Sequence, residues 1–229
     1  LIALFAPLIA PYDPNKQVLT DRLMKPCGQH WFGTDDLGRD IFSRIIYGCR
    51  VSLSVGIISQ IIATVIGYTM GVCAGYFGGK VDSVISFLIQ VFSSFPFLLF
   101  AMAIMFVLGP GLINLYLALG LLGWASTARL IRGDVMRLKK MEYIDACKVG
   151  GNSFRIIMKH LLPNCLSTLI VTVTLGIPNA IMSEASLSFL GLGVKAPMAS
   201  WGSMISFSQP YIRSATYYSV IPGLAIIIT

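Results

Sequence analysis

The sequence predicts an all-α polytopic membrane protein with six transmembrane helices, and three observations carry that prediction. Hydrophobic residues make up 55% of the 229 and charged residues 12%, where a soluble domain carries about 25% charged. The mean hydropathy is +0.78, so a soluble fold would expose more apolar surface than water tolerates. The charges are also segregated, leaving uncharged runs that suit helices of about 20 residues crossing the hydrocarbon. The short alternating segments of a transmembrane barrel are absent, and helices then satisfy the backbone within lipid.

The opening run, "LIALFAPLIAP", has neither the basic leader nor the small-residue cleavage site of a signal peptide. It reads as the remainder of a truncated first span. The second span follows from the 29 uncharged residues between Arg50 and Lys80. Another 46 lie between Asp82 and Arg129, interrupted by Gly109-Pro110-Gly111. They read as spans three and four joined by a tight turn, since Pro and Gly together punctuate helices. Between Lys159 and Glu184 are 24 more residues without a formal charge, giving a fifth span from about Pro163. "VIPGLAIIIT" reads as a sixth, also cut short. The whole, residues 1–229, is expected to form one transmembrane domain.

Orientation follows from where Lys and Arg collect. The 129–163 stretch holds eight basic and three acidic residues; the 12–50 loop holds six and five. By the positive-inside rule the former is cytoplasmic and the latter extracytoplasmic. Lys80 falls on the cytoplasmic side as well.

Five cysteines, at 27, 49, 73, 147 and 165, show no metal-ligand or redox spacing. Cys27 and His30 are best read as isolated loop residues, and no metal site is expected. Cys73 and Cys165 fall in apolar runs and are expected to be small core residues. There is no Gly-x-x-x-x-Gly-Lys-Ser/Thr, so the chain is not expected to bind ATP; "GYFGGK" reads as a turn between spans. No catalytic arrangement is supported by His30 and His160, and no residue is assigned a catalytic role. Nothing points to nucleic acid; the bilayer is the first expected partner.

The stretch "RLKKMEYIDACKVGGNSFRIIMKHLLPN", Arg137 to Asn164, is the polar interruption in this apolar chain. Val135 to Val149 has helix-forming content, Gly150 and Gly151 permit a reversal, and Ser153 to Leu162 can form a second short helix. Pro163 would then sit in the first turn of the fifth span. Such a helix-turn-helix, on spacing alone, either lies on anionic headgroups or docks a partner.

This stretch resembles the coupling loop of bacterial ABC-importer membrane subunits, whose pattern is Glu-Ala-Ala, three residues, Gly, nine residues, Ile-x-Leu-Pro. Asp145-Ala146-Cys147 stand for Glu-Ala-Ala, Gly150 or Gly151 for the Gly, and Leu162-Pro163 for Leu-Pro. Asp replaces Glu, Cys replaces the second Ala, and the stretch is one residue short, which leaves the equivalent glycine open. "HWFGTDDLGRDIFSRIIYGCRVSLSVG" (His30 to Gly56) and "EASLSFLGLGVKAPMASWGSMI" (Glu184 to Ile205) resemble segments of the dipeptide/oligopeptide/nickel permease subfamily, in its C-type subunit. The resemblance implies a related second permease subunit, two cytoplasmic ATP-binding subunits that carry ATP and Mg, and an extracytoplasmic solute-binding protein. It also implies the bacterial cytoplasmic membrane, and no cofactor on this chain. Asp145, Ala146, Cys147, Lys148, Gly150, Gly151, Arg155, Leu162 and Pro163 would contact an ATPase subunit. The implied solute is a dipeptide, an oligopeptide or chelated nickel. A scaffold that docks cytoplasmic partners without transporting is the alternative.

Spans two to four contain no charge, whereas ion-driven carriers place costly charges near the midplane; the energy source is therefore expected in a partner. Glu184, at the outer end of the fifth span, reads as an interfacial carboxylate or a pathway contact. Ser93, Ser94 and Pro96 form a break that bends the third span toward the pathway or serves packing. Ser52, Ser54, Gly56 and Ser59 are expected to allow close helix contact. Asp35, Asp36 and Arg39 in the outer loop, with Val194 to Arg213, are expected to contribute to a surface for the binding protein.

Overall fold

Asp40 sets the start of the longest helix in the computed structural model, which describes residues 3–142, 144 and 152–229. Its Oδ2 accepts the Ser43 amide at 2.8 Å, the side-chain cap a helix start requires. Helix α2 then runs Ile41–Phe77, after a four-residue α1, Ala6–Ile9. The sequence places the second span after Arg50; the cap at Asp40 instead puts Arg44 and Arg50 on the opening turns of the helix. Gly78 and Gly79, with φ of +68° and +53°, turn the chain in the left-handed region that favours glycine.

Helix α3, Gly79–Ser94, stops at Phe95, which is extended at φ −93° and ψ 139°, as a residue before proline prefers. Helix α4, Phe97–Leu108, resumes at 89° to α3. The expected bend at Pro96 is therefore a full break. Asn114 closes α4 by donating to the carbonyls of Leu108 and Gly109 at 2.8 and 2.9 Å. Helix α5 runs Leu112–Leu138, so Val135 to Leu138 end a long helix and do not start a separate one.

Helix α6, Ser153–Ile156, passes through a π turn at Ile157–Leu161 directly into α7, Leu162–Phe189. The second short helix expected up to Leu162 is thus the first part of a continuous one. Pro163 has no N–H to offer the carbonyl one turn back, and a local π widening accommodates that loss without a break. Helix α8, Trp201–Ser208, starts at Ser200, whose hydroxyl and backbone form a reciprocal capping box with Ser203. Helix α9, Thr216–Ile228, ends the chain.

Among the described residues the chain is all-helical apart from an isolated bridge, Thr34 with Asp40. Within those residues two helices, Ile41–Phe77 and Ile157–Phe189, are long and apolar enough to cross a membrane, and the bent α3–α4 pair makes a third if it counts as one span. Helix α5 has the length, but Arg129, Arg132, Asp134 and Arg137 occupy its final turns.

Two compact units divide the chain: 1–57 with 102–115 and 178–229, and 58–101 with 116–177. In the second unit, Gly67, Gly71 and Gly75 recur every four residues on α2 and face α5. A Cβ on Gly71 would lie 2.7 Å from the Ala128 carbonyl oxygen, and one on Gly75 would lie 2.9 Å from that of Arg132. Gly120 and Gly123 on α5 return the contact against Ile62 and Ala63. Close backbone approach is what small residues four apart supply in lipid, where apolar burial does not itself drive helices together. Of the serines singled out from the sequence, Ser59 shares this seam, its carbonyl oxygen 3.2 Å from a Cβ placed on Gly120, whereas Ser52 accepts the Trp201 amide at 3.2 Å, in the first unit. There Trp201 is buried, and its indole N–H donates to the Ile45 carbonyl at 3.1 Å. Cys165 is buried and Cys73 half-buried in apolar clusters of the second unit, as their positions predict.

Replacing Gly71 with Val forces a side chain into backbone and is expected to cost about 2 kcal/mol. Gly133→Ala, with nothing within 4 Å of the new Cβ, leaves stability unchanged or slightly raised. Thermal unfolding of the detergent-solubilised protein separates the two.

Candidate functional site

The polar stretch is best built from its anchored ends. Asp145, Ala146, Cys147, Lys148, Gly150 and Gly151 lie outside the described residues. On either side of them, Ile144 and Ile156 are both buried in one apolar cluster. Val72 of α2, Ile131, Val135 and Leu138 of α5, and Leu161, Cys165 and Leu169 after α6 complete it. Both ends of the segment are therefore tied to one packed core. Of the remaining expected contact residues, Arg155 and Pro163 are exposed, and Leu162 is half-buried against the cluster.

The charges around the stretch divide into two groups. Several bind the chain to itself. Arg132 meets Asp82 through its Nε and, at 2.7 Å, through a second nitrogen to the other carboxylate oxygen. Two-point arginine–carboxylate contact fixes direction as well as distance. Asp134 accepts the Thr168 hydroxyl at 2.5 Å and lies 3.4 Å from Arg137. Lys139 donates to the Tyr76 carbonyl at 2.6 Å, closing the C-terminal end of α2. Lys140, Glu142, Arg155 and Lys159 are exposed and form the outward charge. So the block is partly a brace and partly a face, whereas the sequence alone suggests only the face.

The Ser93–Pro96 break is held in place on both sides. Ser93 accepts from an Arg129 guanidinium nitrogen at 2.9 Å, and Ser94 donates back to the Gln90 carbonyl at 2.7 Å. Phe92 packs edge-on to Trp124, and Phe100 lies against both Phe92 and Phe95 across the interruption. Pro96 itself is exposed.

In the first unit Glu184 is fully buried, not interfacial. Its Oε1 accepts two hydroxyls, from Ser188 and Ser200, each at 2.6 Å, while Oε2 has no hydrogen-bond partner among the described residues. The carboxyl thereby ties the end of α7 to the cap of α8. The outer-loop residues also turn inward. Asp35 is 0% and Arg39 6% exposed, so neither offers the free surface expected of a binding-protein contact. One Asp35 oxygen accepts the amides of Leu37 and Arg39 at 2.9 Å; the other accepts Arg39 Nε at 2.6 Å and lies 3.4 Å from Arg44 Nε. Buried charge must be paired, and this pairing shapes the loop. Asp36 is partly exposed and accepts the Tyr218 hydroxyl at 3.2 Å.

Asp82, Arg132, Asp134, Thr168, Lys139 and the α2 glycines are the residues that sequence reasoning passed over. Their signal was present: a four-residue glycine repeat, and a lone Asp at the mouth of an apolar run, read only as a boundary.

Long apolar helices joined through glycine contacts, with charge gathered beside one polar stretch, define an integral membrane protein. The chain belongs to the family described as binding-protein-dependent transport system inner membrane component, which its residues 64–229 match, and is thereby an integral protein of the bacterial inner membrane. It is similar to the dipeptide transport system permease protein DppC of Bacillus subtilis, 44% identical over 219 residues, covering 95% of this chain and 68% of that protein. The oligopeptide transport system permease protein OppC of the same organism is 41% identical, with 95% and 71% covered. The glutathione transport system permease protein GsiD of Pectobacterium atrosepticum is 39% identical, with 100% and 76% covered. In fold the chain is similar to a chain of the inward-facing MetNI methionine ABC transporter, at a TM-score of 0.66 and 18% identity, covering 82% of this chain and 90% of that one.

Replacing Ser200 with Ala removes a donor to Glu184 and the cap of α8 together. The expected cost is about 2 kcal/mol, read as a lowered melting temperature; an unchanged melt would mean that Glu184 does not hold α8 in place.

Proposed function

We propose that this chain is the membrane-spanning permease subunit of an ATP-driven importer of dipeptides or oligopeptides. It forms half of the translocation pathway with a related second permease. Solute arrives from an extracytoplasmic binding protein, and two cytoplasmic ATP-binding subunits, holding ATP and Mg, supply the energy. In this reading the chain crosses the membrane six times, hydrolyses nothing itself, and alternates between outward and inward access as the ATPases close and reset.

The observation that carries the reading is the anchoring of the polar stretch. With Ile144 and Ile156 buried in one cluster with α2, α5 and α7, a push that reaches these two residues is delivered to the spans. Close-packed cores transmit displacement in this way. The exposed Arg155 and Lys159 then suit a polar contact with an ATPase subunit, alongside Asp145 and Lys148. The names of the relatives favour a peptide over chelated nickel, and favour transport over a scaffold that only docks partners.

Uptake in a strain lacking the gene tests this, with labelled dialanine and nickel compared, and with the intact gene or a Gly150→Val/Gly151→Val variant restored. The expected outcome is loss of dialanine uptake, restored by the intact gene and not by the variant, with the variant present in the membrane at normal amounts. Dialanine uptake that is indifferent to the gene would remove the dipeptide reading, and the same result with labelled tetra-alanine would remove the oligopeptide one. Uptake that the variant restores in full would remove the coupling role.

A further inference from the structure

Helix α3 is gripped twice by one turn of α5. Arg132 takes Asp82 in the first turn of α3 through two nitrogens, and Ser86 steadies the same carboxylate with a hydroxyl at 3.1 Å. Arg129, one turn earlier on α5, takes Ser93 in the last turn of α3 at 2.9 Å. The two points on α3 are about 16 Å apart along the helix, so the arginines reach in opposite directions and grip both ends. Between them the contact is apolar: Ile85 and Ile89 against Trp124, Ala125 and Ala128. Contact of that kind holds two helices together but resists sliding poorly, since in lipid neither side gains from one register over another. The directional arginine contacts supply what the apolar seam lacks. The Asp82–Arg132 pair is half-buried, its side chains 21% and 30% exposed, so water screens it only in part.

The same end of α5 carries Val135 and Leu138 in the cluster that anchors Ile144 and Ile156. Displacement of the polar stretch therefore reaches Arg132 through one rigid helix. Beyond the clamp, α3 leads to the Phe95–Pro96 break and its aromatic cluster. We propose that Arg129 and Arg132 are positioning residues that make α3, and with it the broken segment, follow the coupling stretch, with Asp82–Arg132 setting the register. The inference rests on the importer reading above and extends it from the two helices flanking the polar stretch to a third.

The test uses the whole transporter in liposomes, with its second permease, ATP-binding subunits and binding protein, and measures ATP hydrolysed per labelled dialanine imported. Arg132→Gln is expected to raise that ratio about fivefold, the scale of one partly exposed charge-assisted contact. Arg132→Lys falls between, and the swap Asp82→Arg/Arg132→Asp returns the ratio toward that of the intact protein. A ratio unchanged in Arg132→Gln, with only the amount of assembled complex reduced, overturns the proposal.

Spin labels at the exposed Val84 and Leu130, with native cysteines replaced, give a second readout that needs no import. The α3–α5 distance is expected to stay the same with and without trapped ATP in the intact clamp, and to change or broaden in Arg132→Gln. A distance that moves with ATP while the clamp is intact overturns the proposal. An intact complex that closes on ATP yet imports neither dialanine nor tetra-alanine removes the peptide-importer reading, and the label distances still decide the clamp.

Discussion

The second unit depends on how closely α2 approaches α5. In hydrocarbon a leucine gains little by leaving lipid for a neighbouring helix, so two spans associate through contact made at short range. Gly67, Gly71 and Gly75 let the α5 backbone come within a Cβ's radius of α2, and Gly120 and Gly123 return the fit. With that seam in place, Trp124, Ala125 and Ala128 present a face on which Ile85 and Ile89 of α3 pack. Ile131, Val135 and Leu138 meet Val72 and receive Ile144 and Ile156. The arginine clamp depends on the same approach, because a guanidinium reaches α3 only when the helices already touch.

The first unit is held differently. Its interior includes a carboxylate–guanidinium network around Asp35, Arg39 and Arg44, a buried Glu184 bridging two serines, and a tryptophan bonded to the α2 backbone. Such groups are costly to bury unless paired, and each pairing is directional, so the cost and the order arise together. The outer loop is thereby folded onto the start of α2 by its own charges. Glycines serve the same end: Gly38, at φ +69°, sits against the Val18 backbone where no larger residue fits.

Charge in the 129–163 stretch does two jobs that composition cannot separate. Arg129, Arg132, Asp134 and Lys139 bond to neighbouring helices and brace them, while Lys140, Arg155 and Lys159 are exposed and form the outward charge. Under the proposed importer reading, a stiff brace beside an exposed charged face suits a force-bearing contact: the face would meet the ATP-binding subunit, and the brace would keep the displacement from dissipating. A solute-lining role for Ser93 loses ground on the same account, because its hydroxyl is engaged by Arg129.

The sequence alone determined that the chain is helical and lives in a membrane, because uncharged run length and backbone satisfaction in lipid leave few alternatives. It also located the polar stretch, the turn at Gly109–Gly111 and the break at Pro96, since proline and glycine act on the local backbone and need no tertiary context. What it could not supply was direction. Whether Arg132 faces solvent or Asp82, 50 residues away in sequence, depends on which helices meet, and a net charge carries no such information. The same holds for Asp35 and Arg39, whose polarity suggested an exposed surface until their mutual pairing made burial affordable. The start of α2 at Asp40 and the π turn before Pro163 have local causes, a side-chain cap three residues away and a proline without an N–H. For the charged pairs, only the tertiary structure brings the groups within bonding distance.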